Sequence, residues 1–164
     1  MAQLLEIVTT SCAALLTGSE LSVAVFFHPT LTKLPDIVHA TAAKALARLL
    51  GRVMPFWYAL AFVLTIAEAL LHRPYLQIPG LYFSISSALW ALSIVYTIAG
   101  PVPVNKRIAS WRLDHLPENW RQDREKWDQL HRLRVALLLA ALVFQLLGVL
   151  HPSIVAATQP GGPE

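Results

Sequence analysis

Four long runs of apolar residues determine what this chain of 164 residues can fold into. Each run has at least 18 residues, and a helix of about 17 to 25 apolar residues crosses the hydrocarbon core of a bilayer. The runs cover residues 4–27, 53–71, 81–99 and 133–150. We therefore predict an all-α integral membrane protein, a four-helix bundle that forms a single domain over residues 1–155, with a flexible tail over 156–164.

The composition excludes a soluble enzyme. Charged residues make up 14% of the chain, against roughly 25% in an ordinary soluble domain. The first ten residues contain no Lys or Arg and carry Glu6, whereas a secretory signal opens with a basic region. We therefore interpret the first run as a membrane span. The single cysteine, Cys12, excludes a disulfide framework and a zinc-type cysteine pattern.

The Lys and Arg residues are concentrated in two of the three connectors between the spans. Twelve of the 13 cations lie in residues 28–52 and 106–134. By the positive-inside rule, connectors 28–52 and 100–132 are predicted to be cytoplasmic and both termini to lie outside. Because the cations flank spans and form no separate basic domain, we expect anionic lipids as partners and no nucleic acid.

The first connector is predicted to contain a short amphipathic helix on the membrane surface. Pro35 followed by Asp36 is typical of a helix start. Lys44 and Arg48 are expected to face water, and Gly51 is expected to end this helix.

The fourth helix is predicted to be longer than the membrane is thick. It is expected to begin at Pro117 and Glu118 and to run to Leu150, a length of about 50 Å. The hydrocarbon core is about 30 Å thick, so the first turns of this helix are expected to extend into the cytoplasm.

Histidines followed by proline are predicted to close three of the spans, at 28–29, 72–74 and 151–152. A histidine beside helix-terminal carbonyls is stabilised by the helix dipole, so a purely structural role is open for His28. Sidedness separates these histidines, since the predicted topology places His28 on the cytoplasmic side with Asn105 and His131.

One face of the fourth helix carries polar residues that lipid would not tolerate. At about 100° per residue, Trp127, His131, Arg134 and Gln145 fall on one stripe. Arg134 and Gln145 are costly in hydrocarbon, so the stripe is expected to face the bundle interior. For Gln145 alone, an interhelical hydrogen bond is an equally good interpretation.

These side chains are predicted to converge in a pocket at the cytoplasmic boundary of the membrane. Glu20 lies about 12 Å deeper than His28, where a carboxylate must be protonated or paired. It is expected either to form the floor of the pocket or to bond to a neighbouring helix. Asp128, three residues before His131, is in position to orient the His131 ring, with Arg132 as its alternative partner. The predicted pocket residues are His28, Asn105, Trp127, His131 and Arg134.

Two histidines and a carboxylate could in principle bind iron or zinc. The sequence contains no compact ligand motif, however, and no glycine-rich dinucleotide fingerprint. We therefore expect no metal, with a metal or haem as the lesser alternative, and the missing fingerprint is consistent with a chain that binds no dinucleotide.

Short motifs in all four spans resemble those of the anthrone oxygenase family, a group of small four-helix integral membrane proteins. The resemblance covers nearly the whole chain and implies oxidation of an anthrone to an anthraquinone by molecular oxygen, without flavin or nicotinamide. The motifs are Gly18-Ser19 through Phe27-His28-Pro29, Arg52 with Met54-Pro55, Val104-Asn105-Lys106, and Trp127, His131 and Arg134.

The resemblance also implies roles for the pocket residues around a flat, apolar aromatic substrate. His131 is predicted to act as general base and His28 as a second acid/base or carbonyl donor, and the two roles are interchangeable. Arg134 and Asn105 are predicted to stabilise an oxyanion. Trp127 is expected to stack on the ring system, and Glu20 and Gln145 to line the substrate site.

Two other classes of function stay open at this point. The two histidines could hold haem or a quinone in a membrane redox subunit, or the chain could be a non-enzymatic transport or interaction protein. Transport is disfavoured because the sequence has no inverted repeat and no paired broken spans. The sequence leaves a homo-oligomer open.

Overall fold

The computed structural model describes the backbone of residues 2–158 and the side chains of residues 3–151, and all regular structure in these residues is helical. Four helical segments are long and apolar enough to cross a membrane, as predicted: Gln3–Leu31, Asp36–Leu71, Gly80–Ala99 and Trp120–His151. The protein is thus a multi-pass helical bundle. The helices are α1 (Ala2–Ser22), a π-helical turn (Val23–Phe27), α2 (His28–Leu31), α3 (Asp36–Leu71), α4 (Gly80–Ala99), α5 (Pro101–Ser110) and α6 (Trp120–Thr158). Most of the predicted tail lies outside the described residues.

Two groups of buried side chains hold the helices together. The mid-bundle core joins α1, α3, α4 and α6 and contains Leu16, Tyr58, Trp90 and Leu138. At one end, which we call the basic end, small side chains of α3 let α5 and the start of α6 pack closely against it. This second core contains Ala40, Ala43, Ala47, Val104, Ile108, Trp111, Trp120 and Trp127.

Large apolar side chains cover the outside of the long helices. Leu15 is 66% exposed, Phe56 79% and Val95 64%, although the bundle has two well-packed cores. An apolar exterior of this extent is costly in water and suits the hydrocarbon of a bilayer.

The first helix does not close at His28, so this prediction is wrong. His28 has helical dihedral angles (φ −63°, ψ −50°), and its N–H bonds to the carbonyl of Val23, five residues earlier. Pro29 lies in the first turn of α2, where its missing N–H is tolerated, and the Thr30 hydroxyl donates to the Phe26 carbonyl at 2.7 Å. The π turn thus accommodates Pro29 without ending the helix, and the segment stays helical to Leu31.

The predicted short helix of the first connector is instead the first part of α3. The helix begins after Pro35, as predicted, but passes without interruption through Gly51 and Pro55 to Leu71. Gly51 allows a close approach between helices, because a Cβ there would lie 3.1 Å from Nδ2 of Asn105.

Lys44 and Arg48 are predicted to face water, but the structure shows that both also donate hydrogen bonds to backbone carbonyls at the end of α5. The ammonium of Lys44 donates to the Trp111 carbonyl, and Nε of Arg48 donates to the Ala109 carbonyl at 3.1 Å. Cations at these positions satisfy free carbonyls at the C-terminal end of α5 and interact favourably with its dipole.

The ends of the other long helices agree only in part with the ends predicted from the sequence. α3 ends at Leu71, as predicted from His72, and α4 ends at Ala99. α6 begins at Trp120, three residues after Pro117, and continues through Pro152 to Thr158, so His151 does not close it.

The packing of Gly148 gives a direct test of the α4–α6 contact. A Cβ at Gly148 would lie within 2.8 to 3.0 Å of three ring atoms of Phe83, whereas a Cβ at Gly18 would meet no atom within 4 Å. Overpacking a core costs about 1–3 kcal/mol, while Gly→Ala in a helix gains about 1 kcal/mol. We expect Gly148→Ala to be about 1–3 kcal/mol less stable than Gly18→Ala, measured by thermal unfolding in detergent. Equal stability of the two variants would contradict this packing.

Candidate functional site

The basic end of the bundle contains a cluster of buried polar side chains between α1, α2 and α6. Glu20, His28, Trp127, His131 and Arg134 are each at most 8% exposed. The structure thus brings together five of the residues singled out in the sequence, and Asn105 lies on the far side of the same region. Gln145 is separate, since it lies fourteen residues beyond His131 on α6, or about 21 Å along the helix.

An ion pair between α1 and α6 forms the inner part of the cluster. Nη2 of Arg134 donates to Oε2 of Glu20 at 2.6 Å, and the Tyr58 hydroxyl donates to Oε1 of the same carboxylate at 3.2 Å. The Arg134 guanidinium also lies over the Tyr58 ring, 5.8 Å from its centroid. Glu20 is therefore paired inside the bundle.

His131 is held by hydrogen bonds at both ring nitrogens. Nη2 of Arg134 lies 2.8 Å from Nδ1 of His131, and Nε2 lies 3.0 Å from the Glu20 carbonyl oxygen. Because a guanidinium only donates, Nδ1 is the acceptor and Nε2 carries the hydrogen. The imidazole is thus neutral, in one tautomer, with neither nitrogen free.

His28 belongs to a second group, formed with Arg124 and Asp128 of α6. Nδ1 of His28 lies 2.5 Å from Oδ1 of Asp128, and Nη2 of Arg124 donates to the same oxygen at 2.7 Å. No described residue is hydrogen-bonded to Nε2 of His28. The prediction that Asp128 orients His131 is therefore wrong, because the His131 ring is turned towards Glu20 and Arg134 and Asp128 faces α2.

Aromatic rings connect the two groups. The indole of Trp127 is stacked on His131 with centroids 4.7 Å apart, and the tilted ring of His28 lies 4.7 Å from the indole and 5.3 Å from His131. The Arg124 guanidinium lies over Trp127, 5.1 Å from the centroid. Trp127 is thus already in contact with three side chains of the site.

A narrow cavity next to His28 extends from this cluster towards α3 and α5. Nδ2 of Asn105 donates to the Ala47 carbonyl at 2.9 Å, which fixes the amide at the cavity wall. The volume is about 10 Å³, which holds at most one water molecule, so a tricyclic ligand requires the helices to separate. The lining residues are His28, Asn105, Arg124, Trp127, Val23, Leu31, Ala43, Leu46, Ala47 and Leu50.

Arg124 and Tyr58 are site residues that the sequence analysis missed. Arg124 lies three residues before Trp127, on the same stripe of α6, so extending the stripe by one turn would have found it. Its Nε is buried and has no partner among the described residues. Tyr58 lies in an apolar span, and nothing in the sequence distinguishes it from a lipid-facing tyrosine.

The basic end offers few free ligand atoms for a metal or haem. Of the ring nitrogens of His28 and His131, only Nε2 of His28 is without a hydrogen bond within the described part of the chain, so ligation by both rings would require His131 to give up a contact. One group of three metal-ligating side chains does occur in the described residues, Glu6, Glu68 and His72. It lies at the opposite end of the bundle.

The comparison with protein families identifies the chain. The family model described as anthrone oxygenase matches residues 43–144, which is more than half of the sequence. The chain belongs to the anthrone oxygenase family. No curated protein and no solved structure matches it with significance.

In this member of the anthrone oxygenase family, the matched range contains only part of the candidate site. Asn105, Trp127, His131 and Arg134 lie within residues 43–144, whereas the α1–α2 segment with Glu20 and His28 precedes them. The match is therefore shorter than the resemblance seen in the sequence, which begins in the first span.

The buried ion pair predicts a strong asymmetry between two carboxylate substitutions. Removing one partner of a buried pair costs about 3–5 kcal/mol, so we expect Glu20→Gln to destabilise the protein by that amount. Asp36 pairs with Arg121, and both side chains are more than half exposed, so Asp36→Asn is expected to cost less than about 1 kcal/mol. Thermal unfolding in detergent measures both, and similar losses for the two variants would argue against the pair.

Proposed function

We propose that this protein is a membrane-embedded oxygenase that uses molecular oxygen to oxidise an anthrone-like polycyclic aromatic compound, without a metal or an organic cofactor. Membership of the anthrone oxygenase family supports an oxygenase role. The observation that carries the mechanism is His28, whose Nδ1 is held by Asp128 and whose ring lines the cavity.

The proposed reaction begins with removal of a proton. The carbon between the two aromatic rings of an anthrone is acidic because its carbanion is an aromatic phenolate. A neutral histidine removes this proton as general base. The carbanion then reduces oxygen and combines with it to form a hydroperoxide, and loss of water leaves the second ketone. In total, one anthrone and one O₂ give one anthraquinone and one H₂O.

The contacts favour His28 over His131 as the base, which exchanges the two roles predicted from the sequence. Nδ1 of His28 lies 2.5 Å from the Asp128 carboxylate and 3.5 Å from Nη2 of Arg124. We assign the hydrogen of His28 to Nδ1, facing the nearer carboxylate, so that Nε2 keeps a lone pair and the resulting imidazolium is stabilised. In His131, both nitrogens are occupied by Arg134 and the Glu20 carbonyl. We assign His131 the task of positioning Trp127 and the ion pair.

Arg124 and Asn105 are the groups best placed to stabilise negative charge on the substrate oxygen. Both line the cavity, and the buried Nε of Arg124 has no partner among the described residues. Asn105 uses one amide hydrogen for Ala47 and retains the other. Preorganised donors of this kind stabilise a developing oxyanion strongly in a dry site. Arg134, predicted for this role, is bound by Glu20 and does not line the cavity.

Substrate is proposed to enter from the bilayer, between α2 and α3. The cavity wall on this side consists of Leu31, Leu46 and Leu50, and the π turn that precedes α2 carries Phe26 and Phe27, which are more than half exposed. π turns recur at functional sites and give a helix a place to adjust. Separation of α2 from α3 there would admit a flat apolar molecule to Nε2 of His28.

We also propose an orientation for the bundle. The basic end carries most of the cations, so the positive-inside rule places it in the cytoplasm with both termini outside. Exposed cations such as Lys126 and Arg132 are then positioned to bind anionic lipid headgroups.

Substitution of His28 gives the main test of the mechanism. General base catalysis contributes about 10²–10⁴-fold, so His28→Gln is expected to lower anthrone-dependent oxygen consumption by that factor. Asp128→Asn should lower kcat in the same direction because the tautomer of His28 is no longer fixed. His115 lies in an exposed connector, and His115→Gln is the matched control with unchanged turnover.

His131→Gln separates the two assignments. We expect this variant to unfold at a lower temperature but to keep turnover within about tenfold in the folded fraction, since it removes packing and no proton acceptor. Full activity in His28→Gln together with loss in His131→Gln would overturn the assignment. A Soret band or a co-purified quinone in active protein would favour a redox subunit instead.

A further inference from the structure

A second polar cluster lies at the end of the bundle opposite the proposed oxygenase site. It joins Glu6 of α1, Glu68 in the last turn of α3, and His72, which follows α3 directly. One ligand atom from each of the three side chains lies within 4.8 Å of the others. The cluster is far from His28 and takes no part in the chemistry proposed above.

Glu68 is the unusual member of this cluster. Its side chain is 0% exposed, and neither carboxylate oxygen has a hydrogen-bond partner among the described residues. Thr9 is fully buried and lies beside Glu68, but its hydroxyl makes no hydrogen bond of good geometry within that part of the chain. A carboxylate in such a place is strongly destabilised unless a positive charge is next to it.

The nearby protein cations do not supply enough positive charge. His72 is the one basic side chain that lies within ion-pair distance of Glu6 and Glu68 in the described residues. Arg73 is adjacent in sequence, but its Nε donates to the Tyr75 hydroxyl at 2.6 Å, and its guanidinium lies over the Tyr75 ring. Two carboxylates therefore face a single imidazole.

The orientation of His72 is that of a metal ligand. Nδ1 lies 2.9 Å from the Glu68 carbonyl oxygen, so Nδ1 carries a hydrogen and Nε2 is the nitrogen available to a metal ion. Metal-ligating histidines typically donate their other N–H in this way, to a carbonyl or a carboxylate. Nε2 lies 3.1 Å from Oε1 of Glu6; this contact is a hydrogen bond when Nε2 is protonated, and a metal ion would replace that proton between the two atoms.

The spacing agrees with an ion bound between these two atoms. A tetrahedral ion with bonds of about 2.1 Å to a nitrogen and an oxygen holds these atoms about 3.4 Å apart, close to the observed 3.1 Å. The ring of Phe83 lies 4.3 Å from the His72 ring and restricts its rotation. The site thus has three ligands, one from α1 and two from the end of α3, with a fixed imidazole.

The cluster is also accessible from outside. A groove of about 410 Å³ runs between α1 and α6 and is lined in part by Glu6, Thr10 and Ser11. The side chains of Glu6 and His72 are about one-fifth exposed, so an ion can reach the cluster while Glu68 stays buried behind them.

We propose that Glu6, Glu68 and His72 form a binding site for a divalent transition-metal ion of the zinc type. Mixed imidazole and carboxylate ligands suit Zn²⁺ and its neighbours in the first transition row. The ion neutralises the two carboxylates and ties the N-terminal part of α1 to the end of α3. The site is independent of the proposed oxygenase chemistry at His28.

Titration with Co²⁺ tests the site in the full-length protein in detergent, after treatment with a chelator. Co²⁺ replaces Zn²⁺ at such sites, and its visible absorption reports nitrogen and oxygen ligation. We expect about one Co²⁺ per chain, displaced by Zn²⁺, and a higher unfolding temperature with the ion bound. No saturable Co²⁺ absorption in the wild-type protein would overturn the proposal.

Matched variants attribute the binding to the cluster. Glu68→Gln and His72→Gln keep side-chain volume and are each expected to weaken Co²⁺ binding by about 100-fold or more, because even outer-shell partners contribute 10–100-fold. Glu118→Gln and His115→Gln, on the exposed connector before α6, are the controls with unchanged affinity. Equal binding by all four variants would show an adventitious site and refute the proposal.

A variant of the other site keeps the two proposals distinguishable. His28→Gln is expected to lose oxygen consumption and to bind Co²⁺ as the wild-type protein does. Metal binding that is lost together with activity in His28→Gln would contradict a separate site.

Discussion

The ion pair between Glu20 and Arg134 is the contact on which the basic end of the bundle depends. Two buried charges from α1 and α6 meet at 2.6 Å, and each is needed to compensate the desolvation of the other. Arg134 also fixes the tautomer of His131, whose ring supports Trp127. One electrostatic contact thus sets the distance between the two helices and the orientation of the aromatic rings packed between them.

Two polar groups of similar composition have different tasks in this arrangement. Glu20, His131 and Arg134 bond to one another and leave no ring nitrogen free, as in a structural network, although Nε of Arg134 has no partner in the described residues. Asp128, Arg124 and His28 leave Nε2 of the imidazole and Nε of the guanidinium without partners in the described residues. His28 and Arg124 line the cavity, whereas Glu20, His131 and Arg134 do not, so the free atoms of the second group are the ones a substrate can reach.

The sequence predicts the spans and most of the buried polar residues, because the free-energy cost of placing a side chain in hydrocarbon depends on that residue alone. Glu20 and Arg134 were found on this basis. Which of these residues form hydrogen bonds and ion pairs with each other was harder to predict. Helical spacing reports neighbours on the same helix, so it linked Asp128 to His131, although the actual partner is His28 on another helix. Gly51 likewise packs closely against Asn105, fifty-four positions away in the sequence.

The π turn at Val23–Phe27 sets the relative direction of the Glu20 and His28 side chains. In a regular α-helix, Glu20 and His28 would project about 80° apart, because eight residues turn the chain through about 800°. The extra residue of a π turn removes about one residue's rotation, so the two side chains project within about 20° of each other. A deletion or insertion between them would turn the imidazole or the carboxylate away from α6. The helical phase of this segment, more than its composition, restricts which length variants can keep both groups in place.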